Sequence, residues 1–342
     1  MTTPPQEIHA VDLFCGIGGL THGLQLAGIE VRAGFDNDPT CQHAFEANND
    51  GAKFVCKDVC ELAFDDDIAP HYGTDAVRAL VGCAPCQPFS AHNRRRSQSD
   101  EDCSLVGEFA RLVKEGTPDF VTMENVPGLA KHSVFQDFID VLDALDYDVT
   151  HEIVSCEEFG VPQRRRRLVL LASKLEPVSL SEHEESPPTV GDCIRSLQPI
   201  KAGVGCENDP AHAAMPLSQT NHKRIAQSKP GGTWKDWPDD LVNECHRSAH
   251  YPAPYGRMSW DALAPTITTQ FCYYSTGRFG HPEQNRAISV REGAILQTFP
   301  DDYVLFEEGK PWTIRDLARQ VGNAVPVELA KAIGKAFREV AA

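Results

Sequence analysis

Residues 11–19 read Val11, Asp12, Leu13, Phe14, Cys15, Gly16, Ile17, Gly18, Gly19, an apolar run of strand type that breaks into a glycine turn and is followed by the helical pattern Leu20 to Leu26. A strand that turns on glycines into a helix is the opening unit of a parallel sheet with crossover helices. Glycines at such a turn let a ligand approach the backbone closely. The next acidic residue at a strand end, Asp36, lies twenty positions after Gly16, where a carboxylate can hold a ribose hydroxyl, so a nucleoside-containing cofactor is expected. Position 21 is Thr, not the third glycine of the dinucleotide fingerprint, which disfavours pyrophosphate binding. Taken alone, the motif also reads as no more than a tight strand-to-helix turn.

Outward from this stretch, β-type runs recur at Ala10 to Phe14, Glu30 to Phe35, Ala79 to Gly82, Phe120 to Glu124, Asp148 to Val154 and Arg167 to Ala172, with a second helical pattern at Cys41 to Glu46. The alternation predicts an α/β fold, a mostly parallel sheet with helices on both faces. Between Ser173 and Thr189 the chain turns polar, and Glu182, Glu184, Glu185, Pro187 and Pro188 mark a linker. From Pro199 to about Gly256 periodicity is weak and Pro, Gly, Asn and His abound, which predicts a small loop-rich domain. Ser289 and Glu292 have the spacing of a capping box opening a helix through Leu296. Pro326 fits the first turn of a last helix, whose Leu329, Ile333, Phe337 and Val340 recur at helical spacing. The expected division is a large domain over residues 1–188, completed by 318–342, and a small domain over 189–317.

With 342 residues, 41% of them hydrophobic, the chain can bury a sizeable core. Met1 to His9 lack a basic start and an apolar segment, and no stretch approaches the roughly 18 apolar residues that span a bilayer, so a soluble, cytoplasmic protein is expected. Twelve scattered cysteines fall far below the density of a disulfide scaffold and are expected to be free thiols. A net charge of −17 counts against a general polyanion binder. Positive charge is nevertheless clustered at Arg94, Arg95 and Arg96 and at Arg164 to Arg167, and a field depends on where the charges sit.

Three further segments carry chemistry. Gly82, Cys83, Ala84, Pro85, Cys86, Gln87, Pro88, Phe89, Ser90 follows a strand and holds a thiol between prolines, a stiff presentation suited to attack on an aromatic ring. A buried structural cysteine, or a redox or metal pair of Cys83 and Cys86, reads equally well at this point; a structural zinc would want a second matching pair, which is absent. Met123, Glu124, Asn125, Val126, Pro127, Gly128 puts a carboxylate at the end of an apolar strand, where it can serve as a partly desolvated proton carrier or as a loop-bonding group. Gly160, Val161, Pro162, Gln163 leads into Arg164 to Arg167, where Arg165 and Arg167 face one way and Arg164 and Arg166 the other in an extended run. That run also reads as an exposed basic edge.

In this order the motifs resemble those of the DNA cytosine carbon-5 methyltransferases of bacterial restriction-modification systems. The resemblance extends through Leu296, Gln297, Thr298, Phe299 and Pro300 to Gly322, Asn323 and Ala324, and covers nearly the whole chain except roughly Pro199 to Gly256. It implies a Rossmann-like S-adenosylmethionine-dependent fold with a small target-recognition domain. It further implies Cys86 as nucleophile for carbon 6 of a flipped-out cytosine, Glu124 as the group that contacts and protonates ring nitrogen 3, and Arg165 as a contact to the base oxygen, with Arg167 and Asn125 in support. Phe14, Gly16, Gly18, Gly19, Asp36, Asp58, Val59, Leu105 and Asn323 match positions lining the S-adenosyl-L-methionine pocket, and no metal is expected. Residues 91–105 match a loop that closes over the base. Tyr255, Gly256, Arg257, Trp260, Pro265 and Thr266 to Thr269 resemble the junction into the later motifs, and Lys223, Arg224, Lys229 and Lys235 are candidates for phosphate or base contacts. Cys83 stands where the family often has Gly, and Cys103 where an Arg frequently precedes the loop's leucine.

The implied partners are double-stranded DNA and a cognate restriction endonuclease, with no membrane; the implied state is a monomer in the bacterial cytoplasm, associated with the nucleoid. The nearest alternative is a transfer-RNA cytosine methyltransferase, whose family branch usually has Thr where this chain has Ser90. A zinc deaminase would need H-x-E upstream of P-C-x-x-C, whereas His183 to Glu185 lies downstream of Cys86. A regulatory subunit that keeps the fold without catalysis would be marked by loss of Cys86, Glu124 or Arg165, and all are present.

Overall fold

The computed structural model describes residues 6–85, 100–181, 186–247 and 254–342. Cys86, Ser90 and Arg94 to Arg96 lie outside the described residues, as do residues 91–99 of the expected closing loop and Glu182, Glu184 and Glu185 of the expected linker. The chain divides into two compact units, Met1–Phe159 with Arg166–Glu184 and Val325–Ala342, and Gly160–Arg165 with Glu185–Ala324.

In the first unit, β1 (Ile8–Leu13), β2 (Glu30–Asp36), β3 (Lys53–Cys56), β4 (Val77–Gly82), β5 (Phe120–Asn125), β6 (Asp148–Ser155) and β7 (Arg166–Ser173) form one sheet in the order β3-β2-β1-β4-β5-β7-β6. Strands β1 to β5 pair in parallel, and β7 runs antiparallel to both β5 and β6. The strand order reverses at β1, between β2 and β4, and ligands of open α/β sheets bind beyond the carboxyl ends of the strands at such a switch point. The glycine turn after β1 and Glu124 near the end of β5 both lie at that edge.

Period-two alternation assigns the helices α1 (Gly19–Leu26), α2 (Gln42–Asn48), α3 (Asp100–Gly116) and α4 (Ser133–Ala144) to their layers. Val11 and Leu13 of β1 enter one core with Phe109 of α3 and Phe138 of α4, whose rings stand 5.3 Å apart. Asp12, on the opposite face, accepts a 2.7 Å hydrogen bond from the Thr21 hydroxyl of α1. Helices α3 and α4 therefore cover one face and α1 the other. The C-terminal helix Val327–Val340 packs with α1, and its Phe337 stacks on Phe120 of β5 at 4.5 Å. The expected strands are all present; β3, α3 and α4 are additional to the sequence reading.

The second unit holds α5 (Val190–Ile194), α6 (Gln219–Gln227), α7 (Glu244–Arg247), α8 (Val290–Leu296) and α9 (Ile314–Asn323), joined by turns and single 3-10 turns, in keeping with its expected loop-rich character; the C-terminal helix is α10. The Ser289 hydroxyl accepts from Glu292 N–H at 3.1 Å and the Glu292 carboxylate accepts from Ser289 N–H at 2.7 Å, the expected capping box. Glu292 is fully buried, and burial is the largest influence on its pKa and raises it, but the two hydrogen bonds from Arg286 at 2.6 and 2.7 Å, the Arg286 charge, His281 and the Ser289 N–H together outweigh it and hold the pKa below the ordinary carboxylate value.

A small core of Ile225, Trp237 and Tyr274 captures a residue expected elsewhere. Arg224, a sequence candidate for DNA contact, is 5% exposed. Its guanidinium lies 5.0 Å from the Trp237 ring and 5.2 Å from Tyr255, and it donates to the Leu241 carbonyl and the Asn243 side chain at 3.1 and 2.8 Å. Its donors and its π contacts are used inside the unit, so Arg224 is a structural cation; Lys223, Lys229 and Lys235 remain exposed.

Candidate active site

The turn after β1 is built on left-handed backbone: φ is +51° at Gly16, +91° at Gly18 and +60° even at Phe14. A Cβ added to Gly16 would meet nothing within 4 Å, so open space lies over this backbone. Asp36 holds the turn, one carboxylate oxygen accepting from Gly16 N–H at 2.9 Å and the other from Asp38 N–H at 2.9 Å. The sequence interval between Gly16 and Asp36 thus corresponds to a direct bond. Asp58 caps the short turn Val59–Glu61, and the Cys60 N–H that it accepts at 2.9 Å holds its pKa below the ordinary carboxylate value. Val59 and Gly19 are buried, and Leu105 is half-buried on α3.

At the ends of β4 and β5, Gly82 pairs with Met123, and the chain leaves β4 through Cys83, Ala84 and Pro85 towards Cys86. The Asn125 side-chain amide donates to the Ala84 carbonyl at 3.0 Å and ties the β5 end to that loop. Glu124 is 2% exposed. Its Oε1 stands 2.7 Å from Arg167 Nε, and its Oε2 accepts from the Cys83 thiol at 2.9 Å. The Arg167 contact satisfies charge without satisfying direction, because Oε1 has no aligned hydrogen-bond donor among the described residues. A buried carboxylate is expensive unless paired, and Arg167 supplies the counter-charge.

Two further candidates belong to the second unit. Arg165 is 2% exposed and donates to the carbonyls of Ile267 at 2.8 Å, Ala324 at 3.2 Å and Gly322 at 3.4 Å, the last two flanking the exposed Asn323. Gln163 donates to the Leu296 carbonyl at 2.8 Å and to the Gln297 side chain at 2.6 Å, while Gln297 donates to the Val321 carbonyl at 2.9 Å. Arg164 and Arg166 are exposed, so burial alternates along the basic run.

Sequence reasoning missed the Cys83 contact with Glu124 and the brace of Gln163 and Gln297. Cys83 follows Gly82 and Glu124 follows Met123, so the β4–β5 register brings the two side by side. Sequence marks both strands without fixing how they pair.

Residues 8–339 match the family model of the C-5 cytosine-specific DNA methylase. The chain is 46% identical, over 337 residues, to the type II methylase M.HgiDII of Herpetosiphon aurantiacus, covering 96% of this chain and 94% of that one. It is 30% identical over 335 residues to the type II methyltransferase M.Eco47II of Escherichia coli, covering 95% and 77% respectively. Among solved structures, Spodoptera frugiperda DNMT2 superposes with a TM-score of 0.67 at 15% identity, covering 95% of this chain and 98% of that one, a likeness of fold. With motif order, sheet topology and a match over nearly its whole length in agreement, the chain belongs to the C-5 cytosine-specific DNA methylase family.

Proposed function

We propose that this DNA cytosine-5 methyltransferase works through a covalent bond between Cys86 and carbon 6 of a cytosine flipped out of a specific duplex sequence. Membership of a methyltransferase family implies S-adenosyl-L-methionine as the methyl donor, which when bound supplies an electrophilic methyl on a sulfonium. The turn fits such a group, with open space over Gly16 where a side chain would stand and the Asp36 carboxylate bonded to its backbone, and Asp58 is assigned to the same pocket. Phe14, Gly19, Val59 and Leu105 are assigned to the same pocket of the first unit, and Asn323 is assigned to cofactor binding by the family resemblance alone.

The observation that supports the catalytic assignment best is the buried Glu124 carboxylate at the carboxyl end of β5, charge-paired with Arg167 and with one oxygen lacking an aligned donor. In the proposed mechanism the Cys86 thiol gives up its proton as its sulfur adds to carbon 6, the electron pair displaced from the ring is taken up at ring nitrogen 3, and the proton reaches that nitrogen by way of the Glu124 carboxylate, which ends as it began and leaves carbon 5 nucleophilic. After methylation, loss of the carbon 5 proton expels the thiolate and restores the aromatic ring. Asn125 fixes the loop that leads to Cys86, Arg167 fixes Glu124, and Arg165 contacts the base oxygen. These steps call on no metal.

We further assign catalysis to residues 1–188 with 318–342 and target recognition to 189–317. The protein is proposed to act as a monomer in the cytoplasm on nucleoid DNA, with a cognate restriction endonuclease of the same specificity as its partner. No helix among the described residues is long and apolar enough to cross a membrane. The family match favours DNA over the transfer-RNA alternative.

Transfer of labelled methyl from S-adenosylmethionine to unmethylated duplex DNA and, in parallel, to transfer RNA tests the reading, with sequencing of the modified cytosines. We expect 5-methylcytosine in a short recurrent DNA sequence and its loss in Cys86→Ala; full transfer by that variant would overturn the covalent mechanism.

A further inference from the structure

The geometry points to Cys83 as a positioning residue that anchors Oε2 of Glu124, so that Oε1 is the oxygen presented to the edge of the target cytosine. This rests on the assignment of Glu124 to the reaction and adds which of its oxygens acts and what holds the other. Two anions do not sit 2.9 Å apart in a buried site, so Cys83 donates as the thiol and Glu124 Oε2 accepts. Glu124 is 2% exposed, and a carboxylate tethered at Oε1 alone by a contact of poor hydrogen-bond direction would be free to rotate about its last torsion, which is broad for Glu. The thiol supplies the second point that fixes the plane. Oε1 then keeps a buried acceptor position that no described residue fills with an aligned donor, the condition expected of an atom reserved for a substrate group.

A glycine or alanine at position 83 has no donor to offer, so the bond is a feature of this chain's own sequence. The strand register makes it available, since Cys83 and Glu124 are the residues just past the paired Gly82 and Met123.

Single-turnover methyl transfer to unmethylated phage DNA tests the assignment in the full-length protein, comparing wild type with Cys83→Ala, Cys83→Ser and Glu124→Gln. Loss of one hydrogen bond to a charged group predicts a roughly tenfold slower chemical step for Cys83→Ala, with the KM for S-adenosylmethionine unchanged. Cys83→Ser, which keeps a donor, is expected to recover the rate to within about threefold of wild type. A wild-type rate in Cys83→Ala, or equal losses in the alanine and serine variants, would overturn the assignment of Cys83. Glu124→Gln separates the two ideas. If it is inactive while Cys83→Ala is fully active, only the role of Cys83 fails; if it transfers methyl at the wild-type rate, Glu124 has no part in the chemistry and both fail.

Discussion

Asp12 is 1% exposed on β1 beneath the glycine turn, and one of its oxygens meets no donor among the described residues. Burial pushes its pKa from 3.8 up to about 7, the Asp36 carboxylate adds to the rise, and the Thr21 hydroxyl opposes it. The folded state therefore holds a proton that the unfolded chain releases near pH 4. This contribution to stability is complete below the unfolded value and is lost as pH rises through the folded one, a change on the order of 4 kcal/mol between about pH 4 and 7. Asp12→Asn keeps an acceptor for Thr21 and cannot ionise. Urea midpoints at pH 5 and pH 8 should accordingly differ less in the variant than in the wild type, and an unchanged difference would show that Asp12 does not carry the proton. In the sequence Asp12 was visible only as a member of the first strand run and Glu124 as an acid at a strand end; the environment of neither was.

Helix α1 places the glycine turn by packing against α10, and Gly23 sets how close the two helices come. A Cβ there would lie 2.4 Å from both the Ala330 Cβ and the Val327 carbonyl oxygen, and 2.7 Å from Lys331 N. Alanine is favoured over glycine in a helix by about 1 kcal/mol, but backbone atoms cannot step aside as a flexible side chain can. Overpacking wins, and Gly23→Ala is predicted to destabilise by about 1–3 kcal/mol, measured as a lower urea midpoint with unchanged slope. A midpoint at or above wild type would mean that the helices can separate at little cost. Elements announced by glycine, proline or strict periodicity, such as α1, α8 and α10, were readable in advance. Helix α3 was not, because its first turn, Asp100, Glu101 and Asp102, belongs to a charged stretch that reads as loop, and β3 was too short to stand out.

The net charge of −17 means that the whole molecule repels DNA at long range, so binding must rely on local cations. Arg166 is exposed, whereas Arg165 is buried and donates to carbonyls of its own unit. Arg166→Ala is expected to weaken DNA binding about equally for all sequences and to flatten the plot of log affinity against log salt by about one unit, with Lys223, Lys229 and Lys235 behaving alike. An unchanged slope in a fluorescence titration over salt would remove Arg166 from the interface.

The order of the motifs, the alternation of strand and helix, and the turn, cap and proline signals determined the fold class, the family and the residues worth naming, because each is a local property written within a few adjacent positions. Tertiary structure alone decided what those residues became: that Arg224 is a core cation, that Cys83 meets Glu124, that Asp12 is raised and that Arg165 holds the carbonyls around Asn323. The reason is physical, since burial, desolvation and hydrogen-bond direction depend on groups distant in the chain, whose meeting is fixed only when strands choose a register and helices a face.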